Sequence, residues 1–176
     1  MRNSNKGFTQ AELLVVLVII GILVAIALPI FNGIVAGVRL SAATSALSRW
    51  FNSTRLESIG ESIPETLCIR QSATVEVAQI SGTDCESVEN WQSLGSVEID
   101  RKNSTLRTVK GVAGNSGSIY RVSWADTKAG SAASYGQLGK LVLMADGSSD
   151  RSCVVLSNVQ GEWRIGKNGD CIKKSR

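Results

Sequence analysis

Residues Lys6–Pro29 read KGFTQAELLVVLVIIGILVAIALP, and this stretch decides the fold. From Leu13 to Phe31 the chain is almost wholly apolar, interrupted by Gly21 and Pro29. At 1.5 Å per residue such a helix is about 28 Å long, one hydrocarbon thickness. A short basic stretch, Met1–Lys6, precedes it, so positive charge marks the cytoplasmic side and the rest of the chain is expected to face outward. One residue does not suit a plain anchor. Glu12 stands at the start of the apolar run, and a carboxylate in hydrocarbon costs about 2.5–3.5 kcal/mol even on the insertion scale.

Three readings of this segment compete. A secretory signal peptide would be removed near Ala25-Ile26-Ala27, an A-x-A-like site. A plain anchor would stay. The third reading gives Glu12 a partner. Cleavage after Gly7 makes Phe8 the new N-terminus, and its α-amine then lies one helical turn from Glu12. An amine and a carboxylate that close neutralise each other in a low dielectric. An amine from a neighbouring subunit would serve equally, and the pair would then set an assembly register.

The sequence Gly7-Phe8-Thr9, followed by Glu12-Leu13-Leu14 and a long apolar run, resembles the class III leader and N-terminal helix of type IV pilins and type II secretion pseudopilins. The resemblance implies a prepilin peptidase that cuts after Gly7 and methylates Phe8. It also implies that Glu12 guides docking into a filament, and that Pro29 loosens or kinks the helix. Gln10-Ala11 departs from the leucine-isoleucine common at those positions.

Beyond Pro29 the pattern becomes amphipathic. Val35, Val38, Ala42, Leu47, Trp50, Phe51 and Thr54 recur at near-helical spacing, which predicts one helix continuing to about Ser58 and ended by Gly60 and Pro64. The remainder reads as strands: Glu65–Ser72, Thr74–Ile80, Leu94–Asp100, Thr105–Lys110, Ser118–Trp124, Gly139–Ala145, Ser152–Ser157 and Gln160–Gly166. Turns are expected at Ser81–Asp84, Lys102-Asn103, Gly114–Gly117 and Asp146–Ser148. The expected fold is α+β, a long N-terminal helix that spans a membrane and then packs on an antiparallel β-sheet head. The expected divisions are a leader at 1–7, a helix at 8–59 (membrane part 8–31, amphipathic part 32–59) and a head at 60–176.

The chain has 176 residues, 43% hydrophobic and 19% charged, which excludes a disordered chain and a multi-span membrane protein. Net charge is +4, with Arg2 and Lys6 supplying part of it, too little to argue for nucleic acid. Histidine is absent, which removes the commonest general base and zinc ligand. Cys68, Cys85, Cys153 and Cys171 contain no C-x-x-C pair. In an oxidising compartment they read as disulfides 68–85 and 153–171. The other two pairings stay open from sequence, as do four free thiols in a cytosolic protein. No nucleophile–base arrangement or G-x-S-x-G elbow occurs, so an enzyme, a metal and a cofactor are not expected.

In the head, Arg55-Leu56-Glu57, Thr66-Leu67-Cys68, Asp84-Cys85, Trp91 and Val97–Asp100 are similar to the GspH/FimT group of minor pilins and pseudopilins. Cys153–Ser157 followed by Gly161-Glu162-Trp163-Arg164-Ile165 continues the likeness. The resemblance implies a minor type IV pilin that helps start assembly near the pilus tip. The subunit would wait in inner-membrane lipid with its head in the periplasm, then join other pilins through its helix. The alternative within the class is a type II secretion pseudopilin. A further alternative is DNA binding, since some FimT-like pilins bind DNA through a G-R-x-R stretch. Here that stretch reads Gly161-Glu162-Trp163-Arg164, and Glu162 repels phosphate. Arg164, Lys167, Lys173, Lys174 and Arg176 are the DNA-binding candidates, with Trp163 able to stack a base. The plainer reading is a solvated tail, with Trp91, Trp124 and Trp163 packed in the core or against the disulfides. Asp146–Asp150 lacks the spacing of a calcium loop and reads as a turn.

Overall fold

The computed structural model describes residues 9–106, 108–109, 119–126, 132–134, 138–145, 148–158 and 161–172. Gly7, Phe8, Lys173, Lys174, Arg176, the Gly114–Gly117 turn, and Asp146 and Gly147 lie outside them. The chain divides into two compact units, Met1–Val35 and Ala36–Arg176.

The first unit contributes the start of helix α1 (Gln10–Glu57). Leu13 to Ile26 present their large apolar side chains to the surroundings, at 47–62% exposure. Residues Gln10–Ala27 form a segment of mean hydropathy 2.7, long and apolar enough to cross a membrane. The backbone stays helical through position 29, so the chain does not leave the helix at the proline.

In the second unit the helix buries one continuous stripe: Ala36, Leu40, Ala43, Leu47, Phe51, Thr54 and Ser58. The steps of three and four residues are those of one helix face. Two residues expected on this face are not there, since Val38 is 63% exposed and Ala42 is also exposed. Hydrophobicity misled here because small and hydroxylated residues carry much of the stripe. Thr44 and Thr54 reach it by returning their hydroxyl protons to the carbonyls of Leu40 and Trp50 (2.8 and 2.9 Å). The helix closes at Glu57, and Gly60 follows with φ +83°, a left-handed conformation that glycine takes without strain.

Among the described residues ten strands follow: β1 (Glu65–Gln71), β2 (Val75–Ser81), β3 (Gln92–Ser93), β4 (Val97–Ile99), β5 (Thr108–Val109), β6 (Ile119–Asp126), β7 (Ala132–Ser134), β8 (Gly139–Ala145), β9 (Arg151–Leu156) and β10 (Trp163–Lys167). Among the described residues they make two antiparallel sheets rather than one. One has the order β3-β2-β1-β6-β5, with β7 also on β6; the other has the order β10-β9-β8-β4. The expected strand Leu94–Asp100 is shorter than anticipated, β4 at Val97–Ile99, and β3 lies just before it; Gly95 (φ +98°) stands between them where the chain passes from one sheet to the other, β3 pairing with β2 and β4 with β8. β7, of sequence Ala-Ala-Ser, carries no β-branched or alternating signal and was not anticipated.

Strand alternation sorts the side chains into layers. Leu67, Ile69, Val75, Val77, Val122 and Trp124 from the first sheet and Leu141, Leu143, Val154 and Leu156 from the second share one core with the helix stripe. The opposite faces are also covered. Cys68, Cys85 and Ile119, with Ile80, Val88 and Trp91, cover the first sheet; Val142, Cys153 and Cys171, with Val155, cover the second. Each disulfide therefore holds a loop over the face of a sheet that the helix does not reach. Cys68–Cys85 closes with a Cα separation of 5.7 Å and Cys153–Cys171 with 5.6 Å.

Candidate functional site

Two regions carry the residues singled out by sequence. The first is the start of α1. Thr9 precedes the first helical residue, and its backbone N–H and hydroxyl both donate to Glu12 Oε2 at 2.9 Å. The Glu12 N–H donates back to Thr9 Oγ1 at 3.3 Å. This is a capping box: Thr9 is the N-cap, and Glu12, three residues on, satisfies an orphan donor of the first turn. The signal was legible in sequence as Thr9-Gln10-Ala11-Glu12, a T-x-x-E ahead of an apolar run, yet Glu12 alone had drawn attention. Glu12 also lies at the positive end of the helix dipole. Its carboxylate is thus aimed back along the chain, towards the residue that follows Phe8 in sequence.

The second region is the end of the head. Arg164 Nη1 meets Asp170 Oδ2 at 3.2 Å, with both side chains exposed. Lys167 is exposed at the end of β10. Glu162 accepts from Asn158 Nδ2 at 2.8 Å, which closes the turn between β9 and β10. Trp163 is committed elsewhere. Its indole N–H donates to Ser48 Oγ at 3.1 Å, and its ring lies 5.9 Å from Phe51 with the Arg55 guanidinium 5.9 Å from its centroid. The Gly161–Arg164 stretch therefore anchors the second sheet to the helix. Trp91 has a similar fate: Arg70 sits 4.0 Å over its ring, and its N–H donates to Val88 O at 3.1 Å.

Sequence reasoning also gave no role to Asp100, a buried carboxylate of the head. It is 8% exposed and receives Arg151 Nε at 2.7 Å and Asn103 Nδ2 at 2.8 Å. Burial pushes its carboxyl upward, but the hydrogen bonds from Arg151 and Asn103 and the charge of Arg151 outweigh this. They hold it below the usual carboxylate value. The expected turn at Lys102-Asn103 is the loop this carboxylate closes. Among the described residues no group of three or more cysteine, aspartate or glutamate side chains is placed to hold a metal ion.

No solved structure matches the chain. Residues 2–28 match the family model described as the prokaryotic N-terminal methylation motif, a type IV pilin-like signal, which supports the pilin and pseudopilin class for this protein.

Proposed function

We propose that this protein is a minor type IV pilin, a structural subunit that joins other pilins through α1 and takes part in starting pilus assembly near the tip. The observation that carries this reading is the methylation motif over residues 2–28, which reaches into the apolar start of α1, while the head has its own buried helix stripe from Ala36. A processed subunit needs both properties: an apolar rod that exchanges lipid for neighbouring rods, and a head built on the same helix.

In this reading prepilin peptidase cuts between Gly7 and Phe8 and methylates Phe8. The subunit is held in the inner membrane with its head on the periplasmic side until the helix moves into the filament. Glu12 then sets register against an N-terminal amine, and Pro29 provides a point where the helix loosens. The capping box favours such a role, because Thr9 holds the carboxylate at the helix start, next to where the new amine would arise. The two tethered loops suit a head exposed to an oxidising exterior. The head resemblance to the GspH/FimT group favours a minor subunit. No specific observation favours DNA uptake, since Arg164 faces Asp170 and the Trp163 ring is engaged by Phe51 and Arg55.

The test is mass spectrometry of the mature chain from purified filaments. The expected N-terminus is a methylated Phe8. A mature protein starting near Leu28, or an uncut Met1 in assembled filaments, ends this reading. Recovery with secretion components instead of pili would shift the assignment to a pseudopilin.

A further inference from the structure

β10 is the last strand of its sheet, and among the described residues only β9 pairs with it. In an antiparallel pair, residues that exchange both hydrogen bonds alternate with residues whose main-chain groups point away. The Ser157 N–H donates to Glu162 O at 2.9 Å, and these two positions continue the β9–β10 register. That bond sets the phase. Arg164 and Gly166 exchange bonds with Val155 and Cys153, whereas the N–H and C=O groups of Trp163, Ile165 and Lys167 point away from β9.

The open side of this strand adjoins a groove. β10 runs along α1: Trp163 meets Ser48, and Lys167 shares a cleft with Gly37, Leu40 and Ser41. Beside Trp163 a groove of about 490 Å³ is lined by Ser48, Arg49, Asn52, Ser53 and Leu56 of the helix. Leu56 lines it and is 58% exposed; Ile165, outside the groove lining but on the same strand face as Trp163, is 46% exposed. Among the described residues that line it, the groove carries the cation Arg49 and no carboxylate.

We propose that this groove receives an extended segment of a neighbouring filament subunit, added to β10 as a fifth strand. The proposal rests on the pilin reading above. Main-chain groups of Trp163, Ile165 and Lys167 supply the pairing. Leu56 and Ile165 take apolar side chains at alternate positions, and Arg49 selects a segment that carries a carboxylate. The charge of Lys167 at this edge, with that of Arg49 in the groove, favours an acidic partner strand over a basic one.

The experiment places the photoreactive residue benzoylphenylalanine at Ser53 of the full-length chain in cells that assemble filaments. The expected product is a crosslink that mass spectrometry maps to an extended, Asp- or Glu-containing segment of another filament subunit. Two variants then test the mode. Ile165→Pro removes an N–H that points away from β9 and leaves the β9 pairing in place. Leu56→Asp puts a repelling carboxylate in the groove lining. Each is expected to lower crosslinking by about tenfold, while Ile165→Thr, which keeps the N–H, stays near the unmodified yield. A cooperative thermal melt of each purified variant, close to that of the unmodified protein, reports that the head is folded. Equal yields for Ile165→Pro and Ile165→Thr, or a crosslink mapped to a neighbour's helix, overturn the proposal. Incorporation and the N-terminus are measured on the same filaments. A processed, incorporated chain that gives no crosslink defeats the added strand alone, whereas a chain neither cut after Gly7 nor incorporated defeats the pilin reading with it.

Discussion

The Trp163 indole N–H donates to Ser48 Oγ at 3.1 Å across 115 positions of sequence, joining the last strand of the head to the helix on which the head is built. Phe51, fully buried one turn further along that helix, touches Trp163 (5.9 Å) and Trp124 (5.4 Å, edge-on). Helix, first sheet and second sheet therefore meet at one aromatic cluster. Ser48→Ala should remove the hydrogen bond and little else, costing about 1 kcal/mol. Phe51→Ala opens a cavity where the three layers meet and should cost about 3–5 kcal/mol. Urea unfolding of the oxidised full-length protein in detergent, followed by tryptophan fluorescence, measures both. Equal losses would mean that the cluster is not the junction.

The second disulfide leaves no room at its neighbour in β10. A Cβ placed on Gly166 would come within 3.0 Å of both Cys153 Sγ and Asp170 Cβ. Gly166→Ala should thus destabilise by about 1–3 kcal/mol through overpacking. Replacing Cys153 and Cys171 together by alanine removes a cross-link between residues 18 apart and should cost about 3 kcal/mol. Thermal melts of the three proteins check this. In the double alanine variant, Gly166→Ala should become milder, because the sulfur it strikes is gone.

Asp100 gives the head a defined acid response. Its folded carboxyl titrates below the ordinary value of 3.8 because Arg151 and Asn103 hold the ionised form despite burial. A lowered folded pKa means that this contribution is fully present above the unfolded value and is lost as pH falls through the folded one. Asp100→Asn should cost about 2 kcal/mol at neutral pH. The stability gap between the two proteins should stay level above about pH 5 and close below about pH 4. A gap that does not change between pH 7 and pH 2.5 in urea titrations would remove the Arg151 pair as its cause.

Glu12→Ala should leave membrane insertion intact, since the apolar run that follows it is unchanged. Incorporation into filaments should fall on the order of tenfold, read by fractionating pili from membranes. Thr9→Val breaks the side-chain bonds that hold the carboxylate while keeping its charge, so it should impair incorporation less than Glu12→Ala. Normal incorporation of Glu12→Ala would leave the glutamate as a helix cap only.

The sequence by itself determined what depends on neighbours along the chain. The apolar rod, the charge that starts it, the T-x-x-E cap, the glycine that follows the helix and most strand positions are properties of spacing and residue type. The α+β class follows from a 3.6-residue period giving way to a 2-residue one. Only the tertiary structure decided which strands are partners. β1 lies between β2, its neighbour in sequence, and β6, which comes some fifty residues later, and no local pattern encodes that choice. It also decided which face of the helix is buried. The stripe passes through Ala36, Ala43, Thr54 and Ser58, whose small or hydroxyl-bearing side chains fit only because the sheets approach closely there. Trp163 had two readings in sequence, a packing residue or a ring that stacks a base, and the fold packs it on Ser48 and Phe51. Burial is a property of what comes from elsewhere in the chain to cover a residue, and for this head that cover is supplied by two sheets and two tethered loops.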